Sequence, residues 1–444
     1  MPYIPITDRE REEMLKIIGK GIEELFSVIP EKSRPDKLPD FPGGLSEIEL
    51  RSYFKELASK NKPLVPFVGL GVYDHYIPSV INHIISRPEF FTAYTPYQPE
   101  VSQGTLQAIY EYQSMICELT GMDVSNASMY DGATSLAEAI FMAIAVTRRK
   151  RVIVSKGVNP LYRKVLETYL SESAEIEYVP VDNHTGMTGL DAINPDGETA
   201  CFVIQHPNYL GVLEDVFTAE EKIHSVKGLY IVVFDPISLG ILKPPGEYNA
   251  DIAVAEGQPL GLPLNYGGPY LGIFTSKKEY IRQMPGRIIG KTVDADGNRG
   301  FVMTLQTREQ HIRRERATSN ICTNQQLCAL AAAVYLATMG KQGIREVAYQ
   351  TTQKAHFLSK KLEDKGIKRA FSGDFFREFV VKVEDAEKII RKGVDQGILA
   401  GVHLGRFDEN LKNHLLISLT EKRTKEEMEK LMDIINFKDF KNQE

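Results

Sequence analysis

The chain has 444 residues, 43% hydrophobic and 25% charged, which is ordinary for a globular protein and long enough for two or three domains with a large core. A net charge of −6 leaves no general basic surface for nucleic acid or an anionic membrane. No apolar run approaches the roughly 20 residues of a membrane span, and the opening MPYIPITDRERE lacks the basic and apolar regions of a signal peptide, so a cytoplasmic protein is expected.

In chain order, residues 1–60 read as a helical arm. Thr7 and Glu10 form a capping box ahead of an amphipathic run containing Met14, Leu15, Ile17, Ile18, Ile22, Leu25 and Phe26. A Pro-rich connector spans 30–44, and Ser46 with Glu49 repeats the box for a helix to about Ser59. Such an arm either wraps a neighbour or packs on its own domain.

From about 105 to 280, short Val- and Ile-rich runs alternate with helical segments. Strands are expected at Arg151–Ser155, Ile176–Val181, Cys201–Gln205, Tyr230–Phe234, Ile252–Ala255 and Leu271–Phe274. The intervening helices include Ser135–Val146 and Leu161–Leu170. The βα repeat predicts a mainly parallel sheet with crossover helices, in a large α/β domain over 61–340. Beyond it, helices near 342–365, 384–396 and 424–436 alternate with strands at Glu378–Val383, Val402–Leu404 and Leu415–Leu419. They predict a smaller α/β domain over 341–444.

Candidate sites fall mostly at the ends of these elements. Gly132, Ala133 and Thr134 open a helix, where free N–H groups and the helix dipole form an anion cup; an ordinary N-capped helix has the same sequence. Asp235 ends an apolar strand, a place where ligands gather in open α/β sheets and where a carboxylate can hold a protonated ring nitrogen, or simply cap a turn. His206 and Asn208, following another strand, would face the same cleft, His206 as a hydrogen-bonding wall residue. VGLGVYDHY, residues 68–76, lacks the third glycine and following helix of a nicotinamide site.

Two further segments stand apart. In residues 90–107, prolines forbid regular structure around Tyr94, Thr95, Tyr97, Gln98, Glu100 and Gln103, which suits an interface, a site wall or a buried connection. Residues 306–323 carry Arg308, Arg313, Arg314 and Arg316, the usual mark of a solvated helix face, followed by Thr318, Ser319 and Asn320, which suit a phosphate or a partner subunit. The four cysteines, Cys117, Cys201, Cys322 and Cys328, form no C-x-x-C pair and the histidines no H-x-x-x-H pair, so free thiols are expected and a metal is not.

Taken together, YTPYQPEVSQGTLQ, ASMYDGATSLAEA, LNYGGP and LQTREQHIRRERATSNICT resemble the glycine-cleavage P-protein family, glycine dehydrogenase (decarboxylating), in the first-subunit form of its split members. The resemblance runs along nearly the whole chain. It implies the type I, aspartate-aminotransferase-like fold of pyridoxal phosphate enzymes. It also implies decarboxylation of glycine, with transfer of the aminomethyl group to the lipoyl arm of H-protein. Pyridoxal phosphate requires an anchoring lysine for that chemistry, and the alignment of PLNYGGP puts Gln258 at its position. Asn159 stands where the resemblance implies an aromatic or histidine stacked on the cofactor ring.

The resemblance therefore implies a homologous lysine-bearing second subunit holding the cofactor covalently, in an α2β2 assembly. Tyr94, Thr95, Tyr97, Gln98, Glu100 and Gln103, with Arg308 and Thr318–Asn320, are then the candidates for contributions to the partner's site. Gly132–Thr134, Asn159, His206, Asp235 and Gln258 mark a degenerate pocket of the chain's own. The alternative function is a regulatory pseudoenzyme that binds pyridoxal phosphate or glycine non-covalently; a self-sufficient enzyme with another lysine, or a dehydrogenase with its own nicotinamide, has less in the sequence to support it.

Overall fold

Capping chemistry organises the start of the chain in the computed structural model, which describes residues 5–35, 37, 40–321 and 323–436. The chain divides into two compact units, Met1–Lys62 and Pro63–Glu444. In the first, the Thr7 and Ser46 capping boxes both form, opening helices Asp8–Ile18 and Glu47–Ser59. The amphipathic run is cut at Gly19, whose left-handed φ of 71° ends the first helix, and resumes as one short turn, Ile22–Leu25. None of these helices buries a residue, and Ile17 and Ile48 are 86% and 80% exposed. Their caps define them, not a core.

The second unit is built on sheets. A short strand β1 (Val65–Pro66) precedes the main sheet of β2 (Val124–Ser125), β3 (Arg151–Ser155), β4 (Glu175–Val179), β5 (Thr199–His206), β6 (Leu229–Phe234), β7 (Ile252–Glu256) and β8 (Gly272–Ser276). The strand order is β2-β8-β7-β6-β5-β3-β4. The run from β4 to β7 is parallel, whereas β8 pairs antiparallel with both β7 and β2. Along β5 and β6 successive side chains enter opposite layers: Cys201, Val203, Ile231 and Val233 face the core under helices Gly132–Thr147 and Pro160–Leu170, while Phe202, Ile204, Tyr230 and Val232 join Tyr112, Ile116 and Ala332 on the other side. Each such buried aliphatic side chain contributes about 1.5–3 kcal/mol relative to exposure, which is why a sheet covered on both faces reads as continuous apolar runs.

A hairpin, β9 (Ile288–Val293) and β10 (Arg299–Thr304), follows the main sheet. A smaller three-stranded sheet then forms from β11 (Glu378–Lys382), β13 (Val402–His403) and β14 (His414–Ser418), in the order β11-β14-β13, while β12 (Ile398–Leu399) pairs with β1.

Three features depart from the expectations. Residues 103–120 are a buried-faced helix rather than the tail of an irregular segment, because Leu106, Ile109, Tyr112 and Ile116 recur at helical spacing. The arginine-rich segment is not a helix face: it breaks into turns at 306–308, 310–313 and 314–316, with left-handed φ at Leu305 (53°) and Arg314 (52°). The helix expected from 342 begins at Gln326 and runs to Asp364 with a break at Gly340. Among the described residues this is the one helix whose length and apolarity suit a membrane crossing. Its part before the break spans only about 21 Å, and Ala329, Ala332 and Tyr335 there pack into the main core.

Candidate functional site

The pocket at the carboxyl edge of the parallel strands is where an open α/β sheet binds ligands. It is lined by Gln205 from the end of β5, Asp235 just past β6, Glu256 at the end of β7, Asn159 and Tyr162 from the start of helix Pro160–Leu170, and Arg377 just before β11. The cavity they leave is about 30 Å³, room for a water or two rather than the several hundred Å³ of a typical ligand pocket. Its walls are held together by the chain's own polar groups.

The anion cup is filled from within. Gly132 N–H donates to Glu256 Oε2 at 3.1 Å, and Glu256 Oε1 accepts from Gln258 N–H at 3.0 Å and Leu271 N–H at 3.2 Å. A Cβ on Gly132 would stand 2.3 Å from the Tyr162 hydroxyl and 2.8 Å from Glu256 N, so only glycine lets the helix start come this close. Thr134 N–H is taken by Asp131 Oδ1 at 2.8 Å, within a capping box. Ala133 lies between these two capped positions.

The other end is closed by an ion pair. Asp235 Oδ2 accepts from both Nε (2.6 Å) and Nη2 of Arg377, while its Oδ1 accepts from Ile237 N–H at 3.0 Å. The Arg377 guanidinium, 1% exposed, lies 3.6 Å from the centre of the Tyr73 ring. Its Nη1 donates to His75 Nε2, which makes His75 a neutral ring donating from Nδ1 to Glu421 at 2.6 Å. Glu378 accepts from Tyr73 Oη and Leu70 N–H, both at 2.8 Å.

Gln258 is 1% exposed and its side-chain amide makes three hydrogen bonds: Oε1 accepts from Tyr73 N–H at 2.8 Å, and Nε2 donates to Tyr73 O at 3.0 Å and Leu262 O at 2.7 Å. It pairs with the backbone of Tyr73 as a strand would and does not line the cavity. Asn159 caps its helix through Leu161 N–H at 2.9 Å and donates to Leu70 O at 2.9 Å. His206 is a correction to the sequence reading. Its Nδ1 accepts from Glu214 N–H at 3.0 Å and its ring meets Tyr248, so the pocket is walled by Gln205 and Pro207 instead. Asn208 likewise turns to Glu214 (2.7 Å) and Gly186 O. Strand alternation accounts for this: Gln205 and His206 point to opposite faces.

Several of these groups make stability depend on pH. Burial pushes the Glu256 carboxyl up to about 8 and those of Glu378 and Glu138 up to about 7. The folded chain therefore holds protons that the unfolded chain releases near 4.5, and its stability falls as pH rises toward 8. Buried His206, lowered to about 4, has the opposite slope below 6.5, so the clean window lies above that. We expect the urea midpoint to decline from pH 6.5 to 8.5, and Glu378→Gln to flatten the decline. A midpoint that rises across that range would contradict the assignment.

The remaining sequence candidates gather elsewhere. Tyr97 lies 5.6 Å from the Arg287 guanidinium and 5.5 Å from the His311 ring, bringing segments 94–103 and 306–320 together. Tyr94 is 70% exposed, and Gln98, Glu100, Thr318 and Asn320 also face outward. Ser319 accepts from Ile321 N–H and bonds the buried carboxyl of Glu138. Gln103 and Arg308 are turned inward: Gln103 bonds Phe301 N and O (2.9 and 2.8 Å), and Arg308 donates to Gly286 O (2.8 Å) and Leu305 O. None of these nine, nor Thr95, lines the pocket. Sequence reasoning missed Arg287, which donates to Asn324 Oδ1 at 3.2 Å, and Glu309, 3.6 Å from Arg287 Nε; both are nearly buried and no local motif marks them. Thr95 Oγ1, Arg287 Nε and Glu309 Oε1 are buried without a hydrogen-bond partner among the described residues, and Arg287 and Glu309 face each other as an ion pair. Cys117, Cys201 and Cys328 are free thiols; Cys322 lies outside the described residues.

Among known proteins, the glycine cleavage system P-protein family matches residues 1–435. The probable glycine dehydrogenase (decarboxylating) subunit 1 of Carboxydothermus hydrogenoformans is 53% identical over 441 residues, covering 98% of this chain and 99% of that one. Its counterpart from Moorella thermoacetica is 50% identical over 438 residues, covering 97% and 98%. The crystal structure of a glycine decarboxylase (P-protein) of the glycine cleavage system, in inhibitor-bound form, superposes with a TM-score of 0.90 at 43% identity, over 98% of this chain and 99% of that one. Glutamate decarboxylase of Lactobacillus brevis, at 12% identity, TM-score 0.69 and coverage of 93% and 96%, shares the fold alone. The fold is that of type I pyridoxal phosphate-dependent enzymes.

Proposed function

Because the chain belongs to the glycine cleavage system P-protein family and matches first subunits of glycine dehydrogenase (decarboxylating) over nearly its full length, we propose that it is the half of that enzyme without the lysine. It pairs in the cytoplasm with a homologous lysine-bearing subunit, as α2β2. Together they decarboxylate glycine and pass the aminomethyl group to the lipoyl arm of H-protein. Pyridoxal phosphate, held by the partner's lysine, supplies the electron sink for decarboxylation.

The observation that carries this reading is Gln258. The residue at the anchoring position is a buried amide with three hydrogen bonds, outside the cavity. An amide cannot form the imine linkage a lysine forms. What this chain supplies is shape, and side chains offered across an interface. Tyr94, Thr95, Tyr97, Gln98, Glu100 and Thr318–Asn320 remain the candidates, with Gln103 and Arg308 holding those segments in place. The outward-facing Tyr94, Gln98, Glu100, Thr318 and Asn320, on two segments that meet through Tyr97 and His311, support an interface there.

The test is reconstitution. Carbon dioxide release from glycine, with lipoylated H-protein present, is measured for this chain, for the lysine-bearing subunit, and for the two mixed. Activity is expected from the mixture alone; turnover by this chain by itself would overturn the proposal.

A further inference from the structure

The pocket of this chain does not fit pyridoxal phosphate. A phosphate needs free donors at the start of helix Gly132–Thr147, and a pyridinium nitrogen needs a free carboxylate at Asp235. Both positions already have occupants from the chain. The buried Glu256 carboxyl takes three backbone N–H groups, those of Gly132, Gln258 and Leu271, from three separate segments. Asp131 takes the Thr134 N–H one turn on. At the far end the Arg377 guanidinium lies on Asp235. Glu256, Asp235 and Arg377 all border the cavity of about 30 Å³ that is left.

We propose that the pocket is self-liganded: Glu256 is an internal plug that stands where a phosphate would, Arg377 stands where a ring nitrogen would, and the two close the degenerate site to the cofactor. The exclusion rests on identified side chains rather than on the missing lysine. A chain lacking only the lysine would keep a non-covalent site for pyridoxal phosphate; this one does not. The corollary is that the anion site is latent. Removing the Glu256 carboxyl leaves three N–H donors converging at a helix start whose dipole favours negative charge.

The experiment uses the full-length chain. Equilibrium dialysis of the wild type against pyridoxal phosphate is expected to show no saturable binding. Glu256→Ala is expected to melt lower than wild type in chloride and to regain several degrees, saturably, on addition of inorganic phosphate at constant ionic strength. The wild type should melt alike in the two salts. Saturable cofactor binding by the wild type, or an E256A protein indifferent to phosphate, overturns the proposal. Where E256A does not accumulate folded, the wild-type dialysis decides by itself. Its outcome is separate from reconstitution, since a cofactor in this pocket would leave activity of the mixed subunits intact.

Discussion

Glu256 aside, the largest expected loss comes from Asp235→Ala, which should lower stability by about 3–5 kcal/mol, the usual cost of leaving a buried charge without its partner. Arg377 is 1% exposed and directs two of its N–H groups at one oxygen of Asp235. Its other neighbours are the Tyr73 ring, the neutral imidazole of His75 and, across the Tyr73 hydroxyl, Glu378. None replaces a carboxylate at hydrogen-bond distance. The urea midpoint measures the loss. Asp235→Ala/Arg377→Met should recover much of it, because the double change removes the orphaned charge as well as the pair. A double variant no more stable than D235A would show that the cost lies in the turn after β6, where Asp235 also accepts from Ile237 N–H, and not in the ion pair.

Gln258→Lys is expected to weaken the fold by about 3 kcal/mol or more and to restore no cofactor chemistry. Lysine has donors and no acceptor. It can face Tyr73 O and Leu262 O but leaves Tyr73 N–H unpaired, about 1–3 kcal/mol by itself, and it places an ammonium where water does not reach. Nor does position 258 open onto the cavity. Borohydride reduction after incubation with pyridoxal phosphate should trap no adduct at residue 258. A stable Q258K protein that is trapped there would mean that the lysine alone had been lost from a working site.

Much of the architecture was legible because its signals are local. The capping boxes at Thr7 and Ser46 need four residues each, and both formed. The Val- and Ile-rich runs of β3, β5, β6 and β7 fell within two residues of expectation, since strands covered on both faces keep an unbroken apolar centre, with polar residues such as Arg151, Gln205 and Glu256 only at their ends. The hairpin β9–β10 was missed: its tip, Asp294–Asn298, is a turn signal, but the strands carry mixed polarity because only their inner ends are buried. The helix 103–120 was missed for a related reason, its periodic face beginning inside a segment that prolines had marked as irregular.

Sequence by itself determined the family, the type of sheet, and the places of Asp235 at the carboxyl end of a parallel strand and of Gly132 at a helix start. Each of these rests on residue type and short spacing. Only the tertiary structure decided what those residues do. Glu256 and Gly132 are 124 positions apart, and Asp235 and Arg377 are 142 apart. No periodicity connects such pairs; they meet because β6 and β7 end beside the helix start and because the small sheet packs over that edge. Gln258 could be read in one line of sequence, whereas the contacts of Glu256 and Arg377 depend on groups brought together by the fold.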